Sequence, residues 1–277
     1  MGMCIYCGKD AGWFKTAHEQ CESKHSSCLE DISRRATDAI VSGGSLDDLK
    51  TSTEQIAKDC FVADAEYRNA VITAWEMAAK HFLDDGNLDR DEESRIVEYQ
   101  RAFAIDENDA NRSGYLMQLA KAGILRDVAE GKTPTRAEFA GDFRFKLEKI
   151  ETPIFAFHNV SYYELKTRRH IEGVSHGVSL RIAEGVYYRV GEFKGYPVET
   201  SQNVLIDTGT MLITDRNLYF GGPVKSQKLG YLKVLSLIPF SDGVGVQMNT
   251  ASATTKTFVT GDGWFTYNLL ANLCGIG

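Results

Sequence analysis

The segment GTMLITDRNLYF, Gly209 to Phe220, decides how the second half of the chain is read. It sits in a region where apolar residues recur with a period of two and glycine-bearing turns punctuate short runs. Working outward, the same pattern holds in PIFAFHNV, GVSLRIAEGVYYRVGEF and NVLIDTGTMLITDRNLYFGG, and then in YLKVLSLIPF, GVGVQMN and KTFVTGDG. These runs predict antiparallel strands joined by tight turns. The chain then changes period. GWFTYNLLANLCG predicts a final amphipathic helix, with Asp262 as its N-cap and with Trp264, Tyr267, Leu270 and Cys274 on one face. Trp264 is expected to bury most of its ring against the ends of the strands.

Gly209–Phe220 resembles the G-x-L-x-[IL]-T-[DN]-x-x-L-x-F strand pair of GRAM-type and bacterial pleckstrin-homology-like (PH-like) domains. The resemblance covers roughly residues 145–277 and implies an antiparallel β-barrel plugged by its C-terminal α-helix. In that family the Thr-Asp pair reverses the chain, and Leu212, Leu218 and Phe220 take the inward positions. Lys225, Leu229 and Leu235 fit the next strand and its lead-in. PH-like domains often hold anionic lipid headgroups on a basic loop between early strands. The dense basic cluster here is KTRRH, so Lys166, Arg168 and Arg169 are the anion- or lipid-binding candidates. The stretch from Val160 to Val190 has no counterpart in the resemblance.

Upstream, from about Cys28 to Gly131, the period is helical. CLEDISRRATDAIVSGG stops at Gly43-Gly44, and SLDDLKTSTEQIAKDC restarts with Ser45 as N-cap. Val71, Trp75, Ala78 and Phe82 form one stripe; Ile96, Tyr99 and Phe103 form another; Leu116, Leu119, Ala120, Gly123 and Ile124 form a third. Amphipathic helices with short connections predict a small bundle. Between two of them lies DDGNLDRDEE, with Asp84, Asp85, Asp89, Asp91, Glu92 and Glu93 crowded around Gly86. An EF-hand fails, because placing Gly86 at the invariant glycine puts His81 and Leu83 at the first and third ligand positions. DGNLDRDE resembles the D-G-x-[IL]-x-x-x-E turn of TerB-like helical domains. The plain reading is a glycine turn followed by acidic residues at a helix N-terminus.

The opening MCIYCGKDAGWFKTAHEQCESKHSSC carries the chemistry. Cys4 and Cys7 form C-x2-C before Gly8, and His18 and Cys21 form H-x2-C ten residues on. T-x-x-E from Thr16 reads as a capping box, so a helix starting at Thr16 would place His18 and Cys21 on one side. Cys4, Cys7, His18 and Cys21 then supply the Cys3His set of a structural zinc site. A competing set replaces His18 with His25, and Cys28 extends the same stripe. The short connection favours His18, as in a minimal treble-clef-like or ribbon-like finger. The opening resembles small bacterial zinc-finger segments of the form C-x2-C-G-x3-G-x5-H-x2-C. Four protein ligands leave no open position for catalysis.

The chain as a whole is expected to be α+β. A zinc finger (1–30) leads into a TerB-like helical bundle (31–135), followed by the PH-like barrel (145–277). Net charge is −7, but the region from Asp142 onward holds 12 acidic and 14 basic residues, so the front carries −9. That front disfavours phosphate-backbone binding. In the finger, Lys9, Lys15 and Lys24 are offset by Asp10, Glu19 and Glu22. No apolar run reaches the length of a membrane helix, and no leader or lipid-attachment pattern is complete, so a cytoplasmic protein is expected. No hydrolase, P-loop, zinc-protease or dinucleotide motif occurs. These observations predict a non-enzymatic bacterial adaptor with a zinc ion as cofactor, binding a protein, peptide or anionic lipid. The alternatives are nucleic-acid binding through the finger, and a metal-dependent enzyme using the 84–93 loop.

Overall fold

The computed structural model describes residues 2–84, 86–136, 145–183, 186–250 and 254–276, with the backbone alone described from 166 to 201. The chain divides into two compact units, Met1–Lys132 and Thr133–Gly277.

The first unit opens with a two-stranded antiparallel hairpin, β1 (Gly2–Met3) and β2 (Asp10–Gly12). Six helices follow: α1 (Glu19–Ser42), α2 (Leu46–Asp59), α3 (Asp64–Leu83), α4 (Arg90–Ala102), the single turn α5 (Glu107–Ala110) and α6 (Tyr115–Ala129). Helix α1 starts three residues later than the Thr16 capping box predicts. His18 is its N-cap, without a side-chain cap bond. The chain leaves α1 through Gly43 in the left-handed region (φ 76°), which lets the Gly44 N–H donate to the Ala39 carbonyl. Ser45 then caps α2 by accepting from the Asp48 N–H at 3.3 Å. The predicted stripes form the core: Val71, Trp75, Ala78 and Phe82 of α3 meet Ile32, Ala36 and Ile40 of α1, with Ile96 and Tyr99 of α4 behind them. Arg126 of α6 is buried, where it donates to the Leu88 carbonyl (3.0 Å) and to Glu93 (2.6 Å), tying α6 to the start of α4.

The acidic turn has a local explanation. Asp89 accepts from the Glu92 N–H at 2.7 Å while the Glu92 carboxylate accepts from the Asp89 N–H at 3.0 Å, a reciprocal capping box at the start of α4. Glu93 is held by Arg126, and Gly86 (φ 75°) makes the bend. Asp85 lies outside the described residues.

The second unit is an antiparallel sheet of seven strands in the order β6-β5-β4-β3-β9-β8-β7. Its strands are β3 (Pro153–Ala183), β4 (Val186–Thr214), β5 (Asn217–Gly221), β6 (Ser226–Gly230), β7 (Val234–Pro239), β8 (Gly243–Met248) and β9 (Lys256–Val259), followed by helix α7 (Gly263–Cys274). The barrel expectation needs correction, because β6 and β7 are the free edges and do not pair with each other. Several predicted short strands also merge. The stretch without a counterpart falls on the long paired strands β3 and β4, flanked by β9 only at Ser161–Glu164 and by β5 only at Thr210–Ile213.

Gly209–Phe220 is the end of β4, a turn and β5. Thr214 Oγ accepts from the Arg216 and Asn217 N–H groups, and the Asp215 carboxylate accepts from the Thr152 N–H at 2.8 Å. Leu212, Leu218 and Phe220 are buried as expected. Met211, Ile213 and Tyr219 are buried as well, so both faces of this pair are covered. Leu229 lies in the next strand, β6, and is buried, whereas Leu235 falls one strand later, in β7, and is 58% exposed. Asp262 does cap α7, accepting from the Phe265 N–H at 3.1 Å. On the predicted helix face Leu270 is buried as expected, but Trp264 is not. Trp264 is 62% exposed, while Phe265 is fully buried edge-on to Phe155, with ring centroids 4.9 Å apart. Among the described residues no helix is long and apolar enough to cross a membrane.

Candidate metal centre

The Cys4–Gly8 knuckle is built by backbone bonds. The Gly8 N–H donates to the Cys4 carbonyl at 2.9 Å and the Cys4 N–H to the Lys9 carbonyl at 2.7 Å, with Gly8 at φ 67°, where other residues are strained. A second tie, from the Ile5 N–H to the Thr16 carbonyl at 3.0 Å, brings the knuckle against the start of α1. There His18 is the N-cap and Cys21 lies in the first turn.

The result is a convergence of four donors. One ligand atom each from Cys4, Cys7, His18 and Cys21 lies within 4.8 Å of all the others. His18 Nδ1 is 3.4 Å from Cys7 Sγ and 3.7 Å from Cys21 Sγ. A tetrahedral zinc ion with Zn–S near 2.3 Å and Zn–N near 2.0–2.1 Å spaces its donors about 3.5–3.8 Å apart, so the cluster fits the ion. His18 Nε2 lies 2.9 Å from the Asp10 carbonyl oxygen, to which only an N–H can donate. That bond fixes the tautomer and leaves the Nδ1 lone pair facing the sulfurs, the outer-shell support typical of ligating histidines.

The crowded thiols shift one another's ionisation. Burial raises the Cys4 pKa, but bonds from the backbone of Cys7, His18 and Tyr6 prevail and bring it to about 6. Cys21 moves the other way, to about 11, through burial and the nearby Cys4 and Cys7 sulfurs. Crowding three sulfurs disfavours their joint ionisation, and a divalent ion would supply the missing counter-charge. The apolar core of this segment is only Cys4, Ala11 and Ala17, with Tyr6, Cys7 and Cys21 packed around it. So small a core needs an external staple.

The other candidates fall elsewhere. His25 is buried, its Nε2 3.1 Å from Glu66 Oε2 and its ring 4.6 Å from that of Tyr6, so it supports the finger from behind. Cys28, on the same stripe, forms a disulfide with Cys60 at the end of α2. Sequence reasoning missed that pair, because Cys60 stands 32 residues away and outside any motif. Lys166, Arg168 and Arg169 were expected on a loop. Their backbone instead runs within β3, opposite Gln202, Thr200 and Glu199, and their side chains lie outside the described residues. Also unforeseen is the buried Glu151 carboxylate, which accepts from Thr214, Asn217 and Tyr219. With the Glu148 N–H, which donates to the same carboxylate at 2.9 Å, all four donors are internal, so the cluster fastens the β4–β5 turn. Among the described residues, Cys4, Cys7, His18 and Cys21 form the one group arranged to hold a metal ion. No family model, no curated protein and no solved structure matches the chain.

Proposed function

We propose that the chain is a non-enzymatic adaptor whose N-terminal finger is locked by a structural zinc ion and whose second unit is a PH-like binding module. The observation that carries the metal reading is the convergence of Cys4, Cys7, His18 and Cys21 within 4.8 Å, with the second nitrogen of His18 already committed to Asp10. Four protein donors complete a tetrahedron, and a closed shell supplies folding energy rather than an activated water. Cys4, Cys7, His18 and Cys21 would hold the ion; its contribution is a cross-link between the knuckle and α1.

The PH-like reading is supported by two antiparallel meanders, β3 to β6 and β7 to β9, joined through the β3–β9 pair, by the single helix that follows the last strand, and by Phe265 of that helix lying against Phe155 and Phe157. Such a module takes a protein, a peptide or an anionic lipid as ligand, with Lys166, Arg168 and Arg169 as the cationic candidates. Protein purified without chelator should carry one zinc per chain and lose it in the Cys4→Ser and Cys7→Ser variants. Metal-free protein with an intact finger would end the zinc reading.

A further inference from the structure

The two free edges of the seven-stranded sheet are not alike. In β7 the register slips between Val234 and Ser236, which makes Leu235 a bulge residue. The Phe240 N–H donates to the Gly243 carbonyl, so Phe240 turns its backbone toward β8 and Pro239, next to it, turns outward. Proline has no N–H to offer there. A bulge and an outward proline are devices by which a sheet edge refuses another strand. β6 has neither, and its pairing with β5 runs from Ser226 to Gly230 without a slip.

The flanking bonds identify the spare amides of β6. The Gly222 N–H donates to the Lys225 carbonyl and the Tyr231 N–H to the Arg216 carbonyl, so the odd-numbered residues face β5. Ser226, Lys228 and Gly230 therefore turn their N–H and C=O groups to the open side, and among the described residues nothing pairs with those groups. A lysine on an edge strand often guards it. Lys228 does not, because it is drawn onto the face of the sheet: its Nζ donates to Glu148 and lies 5.5 Å from the centroid of the Tyr219 ring.

The surroundings of this edge give the chemistry of its partner. From Asn217 to Ser241 the chain holds Lys225, Lys228 and Lys233 and no carboxylate, in a protein of net charge −7. Lys225 and Lys233 are exposed, stand before and after β6, and form no ion pair among the described residues. Val224, 80% exposed, and Leu232, wholly exposed, stand beside them. Each end of the edge thus offers one aliphatic side chain and one ammonium group. A second copy is a poor occupant, because antiparallel pairing of two β6 edges brings their lysines together.

We propose that β6 accepts an extended acidic peptide as an added strand, with main-chain bonds to Ser226, Lys228 and Gly230, apolar side chains against Val224 and Leu232, and carboxylates near Lys225 and Lys233. This deepens the peptide reading of the PH-like module and rests on it.

The probe is fluorescein-labelled Glu-Val-Thr-Val-Glu-Val-Thr-Val-Glu, titrated with the zinc-replete full chain and followed by anisotropy and by amide hydrogen exchange. Main-chain recognition tolerates varied side chains, so saturable binding with a dissociation constant at or below about 100 µM is expected, with slowed exchange across β6. Ser226→Pro removes one outward N–H and spares the β5 pairing, and should weaken binding by about 10-fold or more. Lys225→Glu with Lys233→Glu, which leaves the backbone alone, should do the same and shift preference to a peptide with Lys in place of Glu. Arg168→Glu with Arg169→Glu should leave peptide binding unchanged. Wild-type protein that ignores the peptide overturns the proposal. Binding that survives Ser226→Pro, or that leaves exchange in β6 unaltered, overturns it too, while keeping a peptide as the module's ligand at another place. A wild-type dimer in sedimentation velocity that Ser226→Pro abolishes overturns it in favour of a second copy.

Discussion

Reducing the Cys28–Cys60 bridge, or replacing both cysteines with serine, removes the one covalent tie between α1 and the α2–α3 turn. The two residues are 32 positions apart. Chain-entropy reasoning for a closed loop of that length gives about 3.7 kcal/mol at 25 °C. If the unit Met1–Lys132 unfolds with an entropy of about 2.1 cal/mol/K per residue, that loss lowers its melting temperature by about 13 °C. The chain supplies its own probe. Trp75 is fully buried in the core of this unit, whereas Trp13 and Trp264 are 79% and 62% exposed. The emission shift on unfolding therefore reports mainly on Trp75. Melts of the full-length Cys28→Ser/Cys60→Ser variant, and of wild type with and without dithiothreitol, should show the drop, with metal content followed in parallel. Coincident melts would refute the reasoning, as would six free thiols in protein purified without reductant. Disulfides persist in oxidising surroundings, so the thiol count also bears on the cytoplasmic expectation.

Three further outcomes are expected. Phe265→Ala should destabilise the second unit by about 3–5 kcal/mol, because the ring is buried among Phe155 and Phe157; Trp264→Ala, at an exposed position, should cost little, and the reverse order in denaturant titrations would contradict the α7 packing. Burial raises the Glu151 pKa, but bonds from Thr214, Tyr219, the Glu148 backbone and Asn217 outweigh it and leave the carboxyl below its ordinary value. Its stabilisation is thus present above the unfolded-state pKa near 4.5 and fades as pH falls through the depressed folded value. Glu151→Ala should flatten that acid response in a pH series of melts and cost about 1–3 kcal/mol for each buried donor left unpaired. Finally, if the basic cluster meets a lipid headgroup, Arg168→Glu with Arg169→Glu abolishes co-sedimentation with phosphatidylserine vesicles and leaves the melt unchanged. Wild-type protein that ignores such vesicles at low salt leaves a protein or peptide as the ligand.

What the sequence discloses follows the range of the interactions. The helical stripes, the Ser45 and Asp262 caps, and the switch from period 3.6 to period two are local, and they stand where the pattern placed them. The metal donors were legible because ligand spacing is short-range: C-x2-C and H-x2-C each sit within one turn. Choosing between His18 and His25 was not, since the choice rests on the Asp10 carbonyl, on Glu66 and on the Tyr6 ring. The start of α1 was misplaced for a related reason. Thr16 has the right residue type for a cap, but its carbonyl is engaged by the Ile5 N–H, and the helix begins only after His18 has turned toward the sulfurs. In the second unit, Trp264 and Phe265 are adjacent apolar aromatics, and periodicity alone cannot say which faces the sheet. The open edges of β6 and β7, the continuous β3–β4 hairpin and the Cys28–Cys60 pair are all long-range pairings, which no local pattern encodes.

Cys4, Cys7, His18 and Cys21 together would close a Cys3His shell around one zinc ion. X-ray absorption at the zinc edge of the purified full-length protein reads that shell directly. Three sulfurs at about 2.3 Å and one imidazole nitrogen at about 2.0–2.1 Å are predicted, with the nitrogen scatterer lost in His18→Ala and retained in His25→Ala. A spectrum in which His25→Ala removes the imidazole, or in which wild type shows a bound water oxygen beside fewer than four protein donors, would contradict it.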